Sequence, residues 1–523
     1  MNLVKLLEDR ARKHPDQPAL VDVKGGADRV VSFRDLGKRV AAGAALLDRI
    51  GLKRGQVILV FQPVSIELYE FLLAAFHAGL RVMLADPSAG KHFLSLCCQR
   101  LQPDAFFGSW KAQCLRMSVP ELRRIPIAIR SGAWFPRTRA WRTDLGNLPL
   151  LDVPDDEPAL ITFTSGSTGL PKAAMRTHGF LMAQHRALSE ALDFQEGEVD
   201  LITLPVFVLA NLASGLTSVL AATNLAKPGE PDIEAIQSQV KRQQVTRCAG
   251  SPAFFDALQR AGALPEFRKL YTGGAPVFPD LLRRLRADLT DAVIDSVYGS
   301  TEAEPMAHFS ADDVECSAEL TRKGGGLCSG KPVNLIQLRV IRDHWGTPLG
   351  PLRQAEFDDL QVDSGQAGEI MVTGEHVLKS YLGGIGDEET KVHVDGAVWH
   401  RTGDAGWFDA EGRIWLLGRC SEKLPMFPAP TDLPAEAMRY PFAIECAFRE
   451  KFPTIRIAAM AWNDQRLLVI GQSQEFAPTV EIETLAADFG MSKIVYLPAI
   501  PLDRRHNAKI DYPELRRQLR LAE

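Results

Sequence analysis

From Ser32 to about residue 200 the sequence alternates between helical stretches and short apolar runs, and this alternation limits the possible folds more than any other feature. Ser32 can cap a helix (SFRD, then KRVAAGAALLDRI) that stops near Gly51. QVILVF reads as a strand, SIELYEFLLAAFHAGL as a helix ending at Gly79, and RVMLAD as the next strand. The pattern continues through VTRCAG, the helix from Ser251, KLYTGGAP, the helix after Pro279 and AVIDSVYG. Strands separated by helices pair mainly in parallel, so the reading is an α/β fold with mixed or parallel sheets.

From about 330 to 418 the texture shifts to shorter β-like segments: LIQLRVI, AGEIMVTG and WHRTGDAGWFDAEGRIWLLGR. The last is a hairpin, with WF and RIWLL as strands and DAEG as the turn. A proline-rich stretch, KLPMFPAPTDLPAEAMRYP, follows Arg419. A chain of 523 residues exceeds one compact core. The boundary is placed at that stretch, giving a large N-terminal domain (1–418) with a β-rich subdomain and a small α+β C-terminal domain (419–523).

Composition excludes more than it selects. With 46% hydrophobic and 24% charged residues the chain is ordinary globular material, and its net charge of -5 gives no overall basic footprint for nucleic acid or an anionic membrane. The eight cysteines form no CxxC and no metal-ligand spacing, and read as reduced core thiols. MNLVKLLEDRARKHPDQ is an amphipathic helix rather than a signal peptide. The longest uncharged run, Leu201 to Ala226, is too broken by polar residues for a membrane span and reads as a buried strand plus helix. A cytoplasmic protein is expected.

The strongest chemical signal is ITFTSGSTGLPK, residues 161–172. An apolar strand runs directly into Thr164, Ser165, Gly166, Ser167, Thr168 and Gly169, then Lys172. Glycines let backbone N–H groups converge on phosphate oxygens, hydroxyls add donors, and the lysine adds positive charge. It is not a Walker A loop, because no GK pair in the chain precedes Ser or Thr.

Four weaker segments suit a nucleotide. Gly273, Gly274, Ala275 and Pro276 end a strand in small residues that a flat base can approach. Tyr298, Gly299, Ser300, Thr301 and Glu302 end another, supplying an aromatic face, hydroxyls and a carboxylate able to hold Mg²⁺ against phosphates. Asp404 suits a sugar diol, and Lys509 sits in a tight polar loop. Taken singly, each also fits a surface carboxylate, a turn aspartate or a solvated lysine.

In order along the chain, TFTSGSTGLPK, YTGGAP, YGSTE, HRTGD, the hairpin ending in GR, and NAKI resemble the adenylate-forming superfamily of acyl-CoA synthetases, peptide-synthetase adenylation domains and luciferases. The resemblance implies ATP and Mg²⁺, a carboxylic acid substrate activated as an acyl-adenylate, and a mobile C-terminal domain. It assigns Thr164 to Gly169 and Lys172 to pyrophosphate, and Gly273 to Pro276 and Tyr298 to adenine. Thr301 falls to the α-phosphate, Glu302 to Mg²⁺, Asp404 and Arg419 to ribose, and Lys509 to the adenylation transition state. Positioned cations and N–H donors are what attack on an α-phosphorus needs as charge builds on pyrophosphate.

MLADPSAGKHFLSLCCQRLQPDAFFGSWKA, GEVDLITLPVF, TRKGGGLCSGKPV and RRHNAKI narrow the resemblance to bacterial olefin β-lactone synthetases. That branch adenylates a long-chain 2-alkyl-3-hydroxy acid, whose hydroxyl displaces AMP to close a lactone. Thioester-forming relatives carry a glycine-containing hairpin just after the GR, whereas here no glycine occurs between Gly418 and Gly471, and the stretch holds Pro425, Pro428, Pro430, Pro434 and Pro441. The thiol-channel element therefore reads as altered or absent, which disfavours coenzyme A. Ser421 replaces the usual hinge Asp or Lys, NAKI replaces SGKI, and Val208 stands where many acyl-CoA synthetases have histidine.

Phe207, Val208, Leu212 and Gly215 lie in the uncharged run, which reads equally as an acyl pocket or as core beside the sheet. Three functions stay open: β-lactone formation, ligation to CoA or an acyl carrier protein alongside pathway enzymes, and nucleotide-fold binding without catalysis. Retention of Lys172, Glu302, Asp404 and Lys509 argues against the third. The first two differ only in which nucleophile takes the acyl group.

Overall fold

The computed structural model describes residues 2–86, 89–144, 146–164, 171–471, 480–502 and 509–522. The chain divides into two compact units: residues 1–223, 234–247 and 375–387 form one, and 224–233, 248–374 and 388–523 form the other.

The first unit holds β1 (Pro18–Lys24), β2 (Ala27–Ser32), β3 (Val57–Phe61), β4 (Arg81–Leu84), β5 (Ala105–Gly108), β6 (Ile127–Arg130), β7 (Arg139–Ala140), β8 (Pro158–Thr164), β9 (Lys172–Thr177), β10 (Val199–Ile202) and β11 (Thr217–Leu220). One sheet runs β7-β6-β5-β3-β4-β8-β9, parallel except for the β8–β9 hairpin. A second ladder runs β10-β11-β1-β2, in which only β2 is antiparallel.

The predicted cap at Ser32 is in place, and a second serine caps the next helix. Ser32 accepts from the Asp35 N–H at 3.2 Å and starts the helix Phe33–Arg49, and Ser65 opens Ile66–His77, which is buried at every position except Glu67. Such a helix needs neighbours on all sides, and stacked Phe71 and Phe107 rings (3.7 Å, 3°) are part of that packing. The predicted N-terminal helix is Val4–Lys13. The run from Leu201 contains two strands around the helix Phe207–Ser214 rather than one strand and one helix.

In the second unit, after β12 (Arg247–Gly250), come β13 (Lys269–Gly273), β14 (Val293–Ser300), β15 (Ala303–Ser310), β16 (Leu327–Cys328) and β17 (Lys331–Pro332), with the ladder β13-β14-β15-β17. Next are β18 (Gln337–Ile341), β19 (Gly368–Thr373), β20 (Lys391–Val394), β21 (Ala397–Phe408) and β22 (Ile414–Arg419), in a sheet ordered β16-β22-β21-β19-β18 with β20 on β21. Asp409 closes the predicted hairpin turn, accepting from the Glu411 and Arg413 N–H groups. The last sheet is β23 (Arg456–Trp462), β24 (Gln465–Gly471) and β25 (Lys493–Leu497), covered by the helices Pro441–Lys451 and Tyr512–Ala522. Six of the eight cysteines are buried, which fits core packing. Among the described residues no helix is long and apolar enough to cross a membrane.

Candidate active site

In the first unit the site is built around Lys172. The strand predicted before the serine–glycine run is β8, and the lysine after it begins an antiparallel partner, β9, with Thr164 opposite Lys172. Ser165 to Gly169 lie outside the described residues. Lys172 is only 7% exposed. Its surroundings come from a segment more than 200 residues away, where Tyr381 forms a bridge with Ala174. That bridge puts the Tyr381 ring 5.9 Å from the Lys172 ammonium. A methyl group on Gly386, whose φ is +100°, would sit 2.7 Å from the lysine's Cδ. Arg100 fastens the base of this arrangement, donating to the Leu382 carbonyl at 2.8 Å and to that of Pro171. Sequence reasoning found Lys172 but had no signal for Tyr381, Gly386 or Arg100.

In the second unit, three of the predicted residues converge. Asp404 and Arg419 are cross-strand partners on β21 and β22, their side chains paired at 3.0 Å. Tyr298, from β14, donates its hydroxyl to the other Asp404 oxygen at 2.7 Å. Burial, and then the Asp404 charge, push the Tyr298 phenol well above its usual range, so it stays a donor. Asp404, opposed by burial, raises the Arg419 guanidinium further, and Glu302 adds to that field.

β14 and β15 join through a two-residue turn, Thr301 and Glu302, with Ser300 opposite Ala303. Ser300 accepts from the Glu302 N–H at 3.3 Å, which fixes the turn. β13 ends beside this strand, Gly273 opposite Val297. A side chain on Gly273 would meet the Val297 carbonyl oxygen at 2.7 Å, so that approach requires glycine. Gly274 is exposed, and Ala275 and Pro276 are half-buried at the same strand end. Gly299 lies between the half-buried tyrosine and the turn.

Lys509 is exposed at the foot of the segment before the last helix, of which residues 503–508 lie outside the described residues. That foot is clasped by a Leu502–Ile510 bridge and by Asp511 donating to the Pro501 carbonyl at 2.9 Å. Three residues on, the Tyr512 hydroxyl donates to Glu445 at 2.6 Å, and Glu445 also accepts from the Ala459 N–H at 3.0 Å. Burial raises the Glu445 carboxyl to about 7.

The residues fit a magnesium nucleotide better than a bare metal. Among the described residues no three His, Cys, Asp or Glu side chains converge as a metal cage. One turn carboxylate is what Mg²⁺ needs when phosphate oxygens and water supply the other ligands. The 420–440 segment contains no strand. Instead, buried Arg466 on β24 holds it, donating to the Pro425 and Met438 carbonyls at 2.6 and 2.9 Å, with the Phe427 ring against the guanidinium at 5.3 Å. No strand pair occurs in these residues, where a glycine-containing hairpin was the expectation for a thioester-forming enzyme.

Of the tentative acyl-pocket residues, Leu212 lines an apolar crevice in the first unit, with about 680 Å³ of empty space including its mouth. Leu6, Leu73, Leu181 and Leu209 line the same crevice. His185, at its wall, contacts Ser214 at 2.8 Å and is lowered to about 4 by burial and by the charges of Arg10 and Arg186. Phe207 and Val208 are buried in the helix beside the crevice, and Gly215 ends that helix.

The family model described as "AMP-binding enzyme" matches residues 7–382. An olefin β-lactone synthetase of Stenotrophomonas maltophilia is 31% identical, over 98% of this chain and 97% of that one. The enzyme of that name from Xanthomonas campestris pv. campestris is 32% identical over 98% and 96%. Among solved structures, the amide bond synthetase McbA from Marinactinospora thermotolerans superposes with a TM-score of 0.77 at 18% identity, covering 99% of both chains. The chain therefore belongs to the AMP-binding enzymes and is an adenylate-forming enzyme.

Proposed function

We propose that this enzyme activates a long-chain 3-hydroxy carboxylic acid with ATP and Mg²⁺, releasing pyrophosphate, and then closes the acyl-adenylate to a β-lactone with loss of AMP. In the first step a carboxylate oxygen attacks the α-phosphorus and the bond to pyrophosphate breaks. In the second the 3-hydroxyl oxygen attacks the acyl carbon, gives up its proton, and AMP departs with the former carboxylate oxygen.

Each group has a part in this scheme. Thr164 to Gly169 and Lys172 bind the departing pyrophosphate. Gly273 to Pro276, Tyr298 and Gly299 seat the adenine, Ser300 and Thr301 face the α-phosphate, and Asp404 with Arg419 hold the ribose diol. Glu302 holds Mg²⁺, which when bound neutralises phosphate charge. Lys509 arrives on the C-terminal segment, 419–523, which moves as a domain between the two steps. Leu212, Phe207, Val208 and Gly215 belong to the acyl-chain wall.

The observation that carries adenylation is the Tyr298–Asp404–Arg419 cluster next to the Thr301–Glu302 turn, since it offers a diol acceptor and a cation-holding carboxylate joined through the Tyr298 hydroxyl. The internal hydroxyl is favoured over CoA or an acyl carrier protein by the strandless, arginine-tied 420–440 segment and by the two relatives' names. The test is incubation with ATP, Mg²⁺ and a 3-hydroxy fatty acid, with and without CoA, followed by mass analysis. A product lighter than the acid by one water, formed without CoA, is expected. Product formed only with CoA would sink the lactone reading.

A further inference from the structure

The whole-chain charge of -5 conceals a local reversal. Residues 105–143 contain Lys111, Arg116, Arg123, Arg124, Arg130, Arg137, Arg139 and Arg142 against one acid, Glu121. The fold gathers part of this excess at one end of the first unit's large sheet. β5 and β6 are parallel neighbours with Gly108 opposite Arg130, so the segments following both strands emerge together. The first begins the helix Trp110–Ser118, and the second is the 131–138 connection to the edge strand β7. The Trp110 ring meets the buried Phe135 ring edge-on, 6.2 Å between centroids, which fixes the two segments side by side.

Phe135 is the anchor of that connection, and Trp134 beside it is 72% exposed, with Trp110 51% exposed. Lys111, Arg137 and Arg139 are exposed around them. Glu121 belongs to the helix that enters β6 from the opposite end, and Asp144 is paired with Arg142 at 2.8 Å.

We propose that this end of the sheet is a docking surface for an anionic lipid bilayer. Two exposed indoles on adjacent segments held by the Trp110–Phe135 contact present amphipathic rings suited to the headgroup boundary, and three cations with no acidic partner among the described residues supply the second signal that stable peripheral binding needs. A lipid surface is favoured over an acidic protein because both exposed tryptophans stand beside the cations. The inference is independent of which acyl acceptor the enzyme uses.

The test is sedimentation of the full chain with phosphatidylglycerol–phosphatidylethanolamine vesicles and with pure phosphatidylcholine vesicles. Binding to the anionic vesicles alone, weakened by salt, is expected. Arg137→Gln/Arg139→Gln should lower affinity by about thirtyfold, at about fivefold per cation. Trp110→Ala/Trp134→Ala should lower it by about tenfold or more. Lys241→Gln, a charge change on a different helix, should have no effect, and unchanged thermal midpoints confirm that the variants fold. The proposal is overturned by no vesicle binding, by equal binding to neutral vesicles, or by binding that both double variants retain. It is equally overturned if these residues capture an acidic soluble protein while vesicles are ignored.

Discussion

Gly386→Ala probes the lysine pocket without touching the lysine. The added methyl would lie 2.7 Å from both Cδ and Cε of Lys172 and 3.1 Å from its Nζ. Carbon contacts are optimal near 3.5–4.0 Å, so the stem must move by roughly 1 Å. A side chain at φ +100° also strains the backbone by about 1–2 kcal/mol. A misplacement of about 1 Å in a charge-positioning group costs on the order of 10² in rate.

The expected variant is therefore folded, about 1–2 kcal/mol less stable in urea, and roughly 10²-fold slower in ATP–pyrophosphate exchange. Because the loss runs through Lys172, adding Lys172→Ala to Gly386→Ala should fall no lower than Lys172→Ala alone. A stable Gly386→Ala protein exchanging at the parent rate would refute the reasoning. So would fully additive losses in the double variant.

Other consequences can be measured in the same assays. Lys509→Ala should reduce pyrophosphate exchange by about 10²–10³ while leaving nucleotide binding intact, as isothermal titration with ATP would check. Tyr298→Phe removes a charged hydrogen bond to Asp404 and should weaken ATP binding by about 1.5–3 kcal/mol, seen as a raised KM for ATP. Glu445 titrates near 7 when folded, against about 4.5 unfolded, so its burial costs nothing below pH 4.5 and progressively more up to pH 7. Urea unfolding of Glu445→Gln should therefore show a stability advantage that opens between pH 4.5 and 7 and levels off on the order of 3 kcal/mol; a pH-independent difference would contradict it.

Much of the fold could be read from local pattern. Ser32, Ser65 and Ser251 each cap a helix, because a serine before an apolar-periodic run satisfies the first orphan N–H groups. The DAEG turn was legible because its aspartate can accept from N–H groups further along the turn, here those of Glu411 and Arg413. Strand β9 was missed because KAAMRT is short and follows a glycine run that masks the hairpin. Strand β11 was missed because TSVL continues an apolar run whose helical part dominates.

The candidate residues themselves were legible as types, but their assembly was not. Tyr298 and Asp404 are separated by 106 positions, and nothing local announces that one donates to the other. Tyr381 and Gly386 reach Lys172 through a chain reversal of similar kind. Such contacts are set by sheet topology rather than by neighbouring residues.

The central claim is that a carboxylate oxygen attacks the innermost phosphorus of ATP, and oxygen transfer tests it most directly. A 3-hydroxy fatty acid labelled with ¹⁸O in its carboxylate is incubated with the enzyme, ATP and Mg²⁺, and the nucleotide product is weighed. The account predicts AMP carrying one ¹⁸O. Label in inorganic phosphate, or none in AMP, would contradict it.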